Sequence, residues 1–118
     1  MKIHWNFKVI ATSSEEAGTV LNQIARLLNL NIESHEISNY EKFETQLFSL
    51  RVKTVLDDSN ATVSDVADQF NRLGTPLFVD NREMHGTKQF EAIFDARKHP
   101  STIPEVFWVS IYAEQPIQ

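Results

Sequence analysis

Cysteine is absent from this 118-residue chain. That removes disulfide scaffolds, zinc ribbons, redox pairs and thiol nucleophiles together, and it suits a reducing compartment. Glycine is scarce, with three residues. A phosphate-cradling loop needs more, so P-loop and dinucleotide-binding enzymes are excluded. No apolar run approaches the ~20 residues of a membrane span. Met1-Lys2-Ile3-His4 leads into no long apolar stretch, so no signal peptide is expected. Positive charge is also in short supply. Eleven Lys and Arg face sixteen Asp and Glu, a net charge of −5, and Arg97-Lys98 is the one adjacent basic pair. Phosphate contact needs concentrated basic side chains, so nucleic acid is a poor partner. An acidic surface favours cationic partners instead.

What is present reads as one α+β domain over residues 1–118, long enough to bury roughly two-thirds of its unfolded surface without a staple. Ile3, Trp5, Phe7, Val9 and Ala11 alternate with polar residues, the period of a half-buried strand. Ser13-Ser14-Glu15-Glu16 is a capping-box sequence opening a helix over Ser14 to Asn29. Ala17, Val20, Leu21, Ile24, Leu27 and Leu28 form its apolar stripe. Asn29 or Asn31 tolerates the left-handed cap that ends it. Ile32 to Asn39 carries Glu33, His35 and Glu36, as an edge strand does. Gln46 to Leu56 puts Phe48, Leu50, Val52, Thr54 and Leu56 on one face, and Ser49, Arg51 and Lys53 on the other.

A second helix is predicted over Thr62 to Leu73, stopped by Gly74 and Pro76. Leu77-Phe78-Val79 reads as a short strand and Asn81 to Thr87 as a loop. Gln89 to Ala96 and Val106 to Ala113 read as two more strands. In the last, Val106, Trp108 and Tyr112 are placed on one face and Phe107, Val109 and Ile111 on the other. The order β-α-β-β-α-β predicts a ferredoxin-like split-βαβ fold with two further C-terminal antiparallel strands. Right-handed crossovers then put both helices on one face. An alternative is that one of the later strands closes the motif in place of Leu77-Val79.

No chemistry announces itself. His4, His35, His85 and His99 lack zinc-ligand spacing. Asp80, Glu83 and His85 share one predicted loop, where carboxylates are usually only solvated. No activated-nucleophile motif is present. The expectation is a non-enzyme with no cofactor and no metal. Recognition remains. Tyr40 and Phe43 sit with Glu41 and Glu44 in an acidic turn, aromatic anchors within a polar rim. Asp57, Asp58, Asp65 and Asp68 form an acidic strip around the second helix start. Trp5, Trp108 and Tyr112 read as core.

Ala17 to Ile37, AGTVLNQIARLLNLNIESHEI, resembles the opening helix and second strand of an ACT-type ligand-binding domain. In that family a glycine begins the first helix and helps admit an amino acid, and Gly18 is the matching position. Ser14-Glu15-Glu16-Ala17 stands where the family has an Asp-x-Pro-Gly-like turn. As a type, the chain is similar to small bacterial toxin-immunity proteins, including those of contact-dependent inhibition systems. That resemblance implies carboxylates and aromatics seated over a cationic toxin active site in place of substrate phosphates. The leading expectation is a cytoplasmic immunity protein that binds and neutralises a cognate, basic, nuclease-type toxin. Its contact residues would be Tyr40, Glu41, Phe43, Glu44, Asp57, Asp58, Asp65 and Asp68. The second is an ACT-like small-molecule regulatory module, dimeric through a sheet edge. The third is an enzyme using carboxylates or a loop histidine.

Overall fold

The structure, a computed structural model, describes residues 1–40, 46–56 and 60–116. Six strands and two helices alternate as β1 (Lys2–Ile10), α1 (Ser14–Leu28), β2 (Ile32–Tyr40), β3 (Leu47–Val55), α2 (Val63–Asn71), β4 (Phe78–Met84), β5 (Thr87–Asp95) and β6 (Val106–Pro116). The strands form one open sheet in the order β2-β3-β1-β6-β5-β4, with every neighbouring pair antiparallel. The chain is therefore α+β, but its sheet is not ferredoxin-like. The β2-β3-β1 half follows that order. Beside β1, however, stands β6, and β4 lies at the far edge. A strand apolar along most of its length belongs in the sheet interior, and β6 answers that description better than the polar β4.

α1 begins and ends as its residues dictate. The Ser13 hydroxyl accepts a hydrogen bond from the Glu16 N–H at 3.1 Å. Asn29 takes the left-handed conformation at φ 55°, and Leu30 N–H reaches back to the Ala25 carbonyl at 3.0 Å, closing the helix end. α2 ends differently. Its C-cap Arg72 stays right-handed at φ −65°, so Gly74 is not there for a left-handed turn. A Cβ at Gly74 would lie 2.6 Å from a Phe94 ring carbon and 3.0 Å from the Pro100 carbonyl oxygen. Close packing of α2's exit against β5 and the following loop requires the glycine.

Both helices cover one face of the sheet. Ile3, Trp5, Phe7 and Val9 of β1 are buried there with Ala17, Val20, Leu21 and Ile24 of α1 and Val66 and Phe70 of α2. Trp5 joins the two halves. Its ring stacks on Phe7 at 5.4 Å and on Phe70 at 6.4 Å between centroids, and its indole N–H donates to Thr54 Oγ1 at 2.9 Å. Trp5 is core, as expected. Trp108 and Tyr112 are not, being half-buried on the uncovered face. The β1–β6 register explains part of this. It runs Lys8 to Trp108 and then Val9 to Val106, so Phe107 is an extra residue, a bulge. The bulge returns Val106 to the core face beside Val109, Ile111 and Ala113, correcting its predicted grouping with Trp108 and Tyr112.

Asn81 to Thr87 is not a loop. β4 runs on to Met84 and pairs with β5 along its whole length. The connection is the two residues His85 and Gly86, at φ 50° and 77°. Two left-handed residues make the tight hairpin turn whose twist matches the strands. Among the described residues, no helix is long and apolar enough to cross a membrane.

Candidate functional site

The uncovered face of the sheet carries the site. Adjacent strands in register place side chains in rows running straight across it. One row is Ser34, Lys53, His4, Tyr112, Glu91 and Asp80, read from β2 to β4. The next is Glu36, Arg51, Asn6, Ser110, Ile93 and Phe78. The middle of the second row holds the small Asn6 and Ser110. Larger side chains stand around them, so the sheet surface dips at its centre. The result is a groove of about 690 Å³, open to solvent.

The groove is chemically graded. Its β2–β3 side presents Arg51 and Lys53, with Glu36 in register beside Arg51. Among the described residues neither cation makes an ion pair. Its β4–β5 side presents Phe78, half-exposed at 49%, with Ile93 beside it. The acidic groups there are already engaged. Arg82 bonds Asp80 at 3.0 Å and Glu91 at 3.3 Å. The Tyr112 hydroxyl donates to the Glu114 carboxylate. That acceptor pushes the phenol up to about 12, so Tyr112 stays a neutral donor at physiological pH.

A third row borders the groove: Ser38, Ser49, Lys8, Trp108 and Asp95. Lys8 Nζ donates to Ser49 Oγ at 2.9 Å and Asn6 Oδ1 at 3.2 Å, and lies 4.1 Å over the Tyr40 ring. Asp95 is held by Arg97, whose Nη2 donates to Oδ2 at 2.7 Å and whose Nε donates to Oδ1 at 3.0 Å. The Arg97 side-chain hydrogen bonds lower the Asp95 carboxyl below its ordinary value, against the opposing effect of burial. A carboxyl lowered in the native state contributes stability above its unfolded value of about 3.9, and that contribution is lost as pH falls through the native value. Urea unfolding should therefore show Asp95→Asn less stable than the parent near neutrality. The gap should narrow progressively as pH falls below the unfolded value of about 3.9 and through the lower native value. A gap that stays constant across that range would contradict the assignment.

The residues singled out from the sequence do not form one patch. Tyr40 ends β2 on the uncovered face, in register with Leu47 and one row beyond Ser38 and Lys8, with Lys8 Nζ over its ring. Asp65 and Asp68 are exposed on α2, on the covered side. Asp65 has a structural task. Its Oδ2 accepts the Thr62 N–H at 2.8 Å, closing the first turn of α2. Glu41, Phe43, Glu44, Asp57 and Asp58 lie outside the described residues. Asp80 and Glu83, expected in one loop with His85, sit on opposite faces of β4, with His85 in the turn beyond. Among the described residues, no group of three or more His, Asp or Glu is placed to hold a metal ion.

Sequence reasoning passed over the groove because its floor comes from the water-facing positions of six strands. One signal was available: β6 presents Trp108, Ser110 and Tyr112 at alternate positions opposite the core, a small residue between two rings. Comparisons with protein-family models, with curated proteins and with solved structures find no match to this chain.

Proposed function

We propose that this chain is a binding domain that takes an extended segment of a partner protein into the groove of its uncovered sheet face. Acidic residues of the segment meet Arg51 and Lys53, and apolar residues lie against Ile93 and Phe78. The observation that carries this reading is a pair of cations, without ion pairs among the described residues, facing an apolar wall across one open groove. Such charge at a partly apolar surface gives a partner both orientation and register. The shape favours a chain over a metabolite. Small-molecule sites enclose most of their ligand's surface, whereas this groove is more open than enclosed.

Neutralisation of a toxin, in the manner of an immunity protein, is one setting for such a domain. Its support is the net charge of −5 and the exposed Asp68, since Asp65 is engaged as a helix cap. The ACT-like reading draws less from the geometry. A Cβ at Gly18 would meet Ile37 Cδ1 at 3.8 Å, an ordinary contact, so nothing there requires a glycine.

A random peptide display library panned on the protein tests the reading. Selected peptides should combine Asp or Glu with apolar residues. The double substitution Arg51→Glu, Lys53→Glu should weaken their binding by at least roughly tenfold, because like charges then face each other. Arg51 is exposed and Lys53 half-buried, so the fold should survive the change. Peptides that bind the charge-reversed protein equally well would rule the groove out.

A further inference from the structure

The two edges of the sheet are unlike. β2, at one edge, exposes Glu33, His35 and Glu36 and carries a register shift between Ile32 and Ser34. Charge and irregularity both discourage pairing with another chain. β4, at the other edge, keeps regular register with β5 from Phe78 to Met84. Leu77, just before the strand, and Phe78, Val79 and Met84 within it are between 44% and 50% exposed. A regular, unpaired edge with exposed apolar residues at both ends and a polar middle is a template for one more strand.

The sequence of β4 specifies which strand. Phe78-Val79-Asp80-Asn81-Arg82-Glu83-Met84 is complementary to itself when reversed about Asn81. In an antiparallel pairing centred there, Phe78 stands opposite Met84 of the second copy and Asp80, ion-paired at 3.0 Å with Arg82 of its own strand, opposite Arg82 of the second copy, while Val79 faces Glu83 on the other side of the sheet. Symmetry repeats each pair. Phe78, Asp80, Arg82 and Met84 lie on the groove side of the sheet, because each faces a groove-side residue of β5 or continues that alternation. Shifting the centre to Asp80 or to Arg82 would put like charges opposite each other, which is destabilising.

Backbone geometry agrees with this register. The two-residue turn makes Met84 and Thr87 a hydrogen-bonded pair. Alternation then engages Arg82 and Asp80 with β5 and turns the N–H and C=O of Val79, Asn81 and Glu83 outward. Those are the groups that a pairing centred on Asn81 would join. Asp80 and Arg82 of the second copy then fall at the closely spaced positions, where side chains interact best.

The geometry points to a homodimer formed by antiparallel pairing of two β4 edges about Asn81, with a second copy of this chain as the partner. The product is one continuous twelve-stranded sheet whose two grooves open on the same side. Seven residues a side is a small contact, so the dimer dissociates on dilution. Phe78 belongs to both the groove and this edge, but the pairing of the two edges requires nothing bound in the groove.

Sedimentation equilibrium of the full chain from about 1 µM to 500 µM tests it. The expected result is a monomer–dimer equilibrium. Asn81→Pro removes an outward N–H that β5 does not use, a change an edge strand tolerates, and should leave a monomer. Asp80→Arg should weaken association by on the order of tenfold, since it sets like charges opposite each other twice. Adding Arg82→Asp to Asp80→Arg exchanges the charges and should restore the dimer. Far-UV circular dichroism confirms that each variant is folded. A parent chain that is monomeric throughout overturns the inference. So does a dimer indifferent to both Asn81→Pro and Asp80→Arg. Failure of the double exchange to recover association overturns the register.

Discussion

Phe7→Ala is expected to lower the free energy of unfolding by about 3–5 kcal/mol, the cost of emptying a fully buried aromatic site. Phe7 is 0% exposed and is one of the largest fully buried side chains. It sits on β1, between β3 and β6, with its ring flat against Trp5 at an interplanar angle of 8°. Trp5 in turn meets Phe70 of α2. Loss of Phe7 therefore leaves a void in the central strand of the core, beside the Trp5 ring that packs on Phe70 of α2. Little can collapse into it, because the strands on either side are fixed by their ladders. For a domain with a typical stability of 5–15 kcal/mol, such a loss is a large fraction of the total. Urea unfolding followed by tryptophan fluorescence should show the midpoint falling with little change in slope. A decrease below about 1 kcal/mol would mean that the site repacks and that β1 is not the keystone described here.

The second large effect is expected at Gly74. Gly74→Ala should cost about 1–3 kcal/mol through overpacking. The new methyl would sit 2.6 Å from the ring of Phe94, itself 0% exposed, and 3.0 Å from the Pro100 carbonyl. The ring is confined by the core and the carbonyl is backbone, so neither gives way cheaply. No left-handed φ is at stake, and the penalty is steric alone. The same measurement would detect it. An alanine variant as stable as the parent would show that α2's exit does not pack as closely as described.

The residues read as helix ends and strand cores behave as their chemistry requires. Ser13 caps α1, Asn29 closes it in the left-handed form, and Phe48, Leu50, Val52 and Thr54 share the buried side of β3. Such features are local, fixed by period and by capping groups within a few residues. The order of strands is not local. Either β4 or β6 could sit beside β1 as far as the alternation of β1 shows. The choice depends on which strand buries more, and on a bulge at Phe107 that no periodicity reveals. Most of β4 reads as loop from sequence because it is an edge exposed on both sides. Asp80, Asn81, Arg82 and Glu83 then show no two-residue period. The turn that ends it uses His85 in the left-handed region, a residue less familiar there than Asn or Asp.

The groove was hidden for a similar reason. Each of its residues looks like ordinary solvent-facing filler within its own strand. Arg51 and Lys53 alternate with a buried face, as do Asn6 and Ser110. Only the register across six strands gathers them. The aromatic and acidic residues singled out from sequence were grouped by proximity along the chain, and folding separates Tyr40 from Asp65 and Asp68 onto different layers.

The account rests on the uncovered sheet face as the working surface. The most direct measurement is a heteronuclear NMR titration of the labelled protein with a peptide selected by panning. The prediction is that backbone amides of Arg51, Lys53, Ser110, Tyr112 and Ile93 shift on saturation, while those of Asp65 and Asp68 stay put. Shifts confined to α2, with the strands of the groove silent, would contradict it.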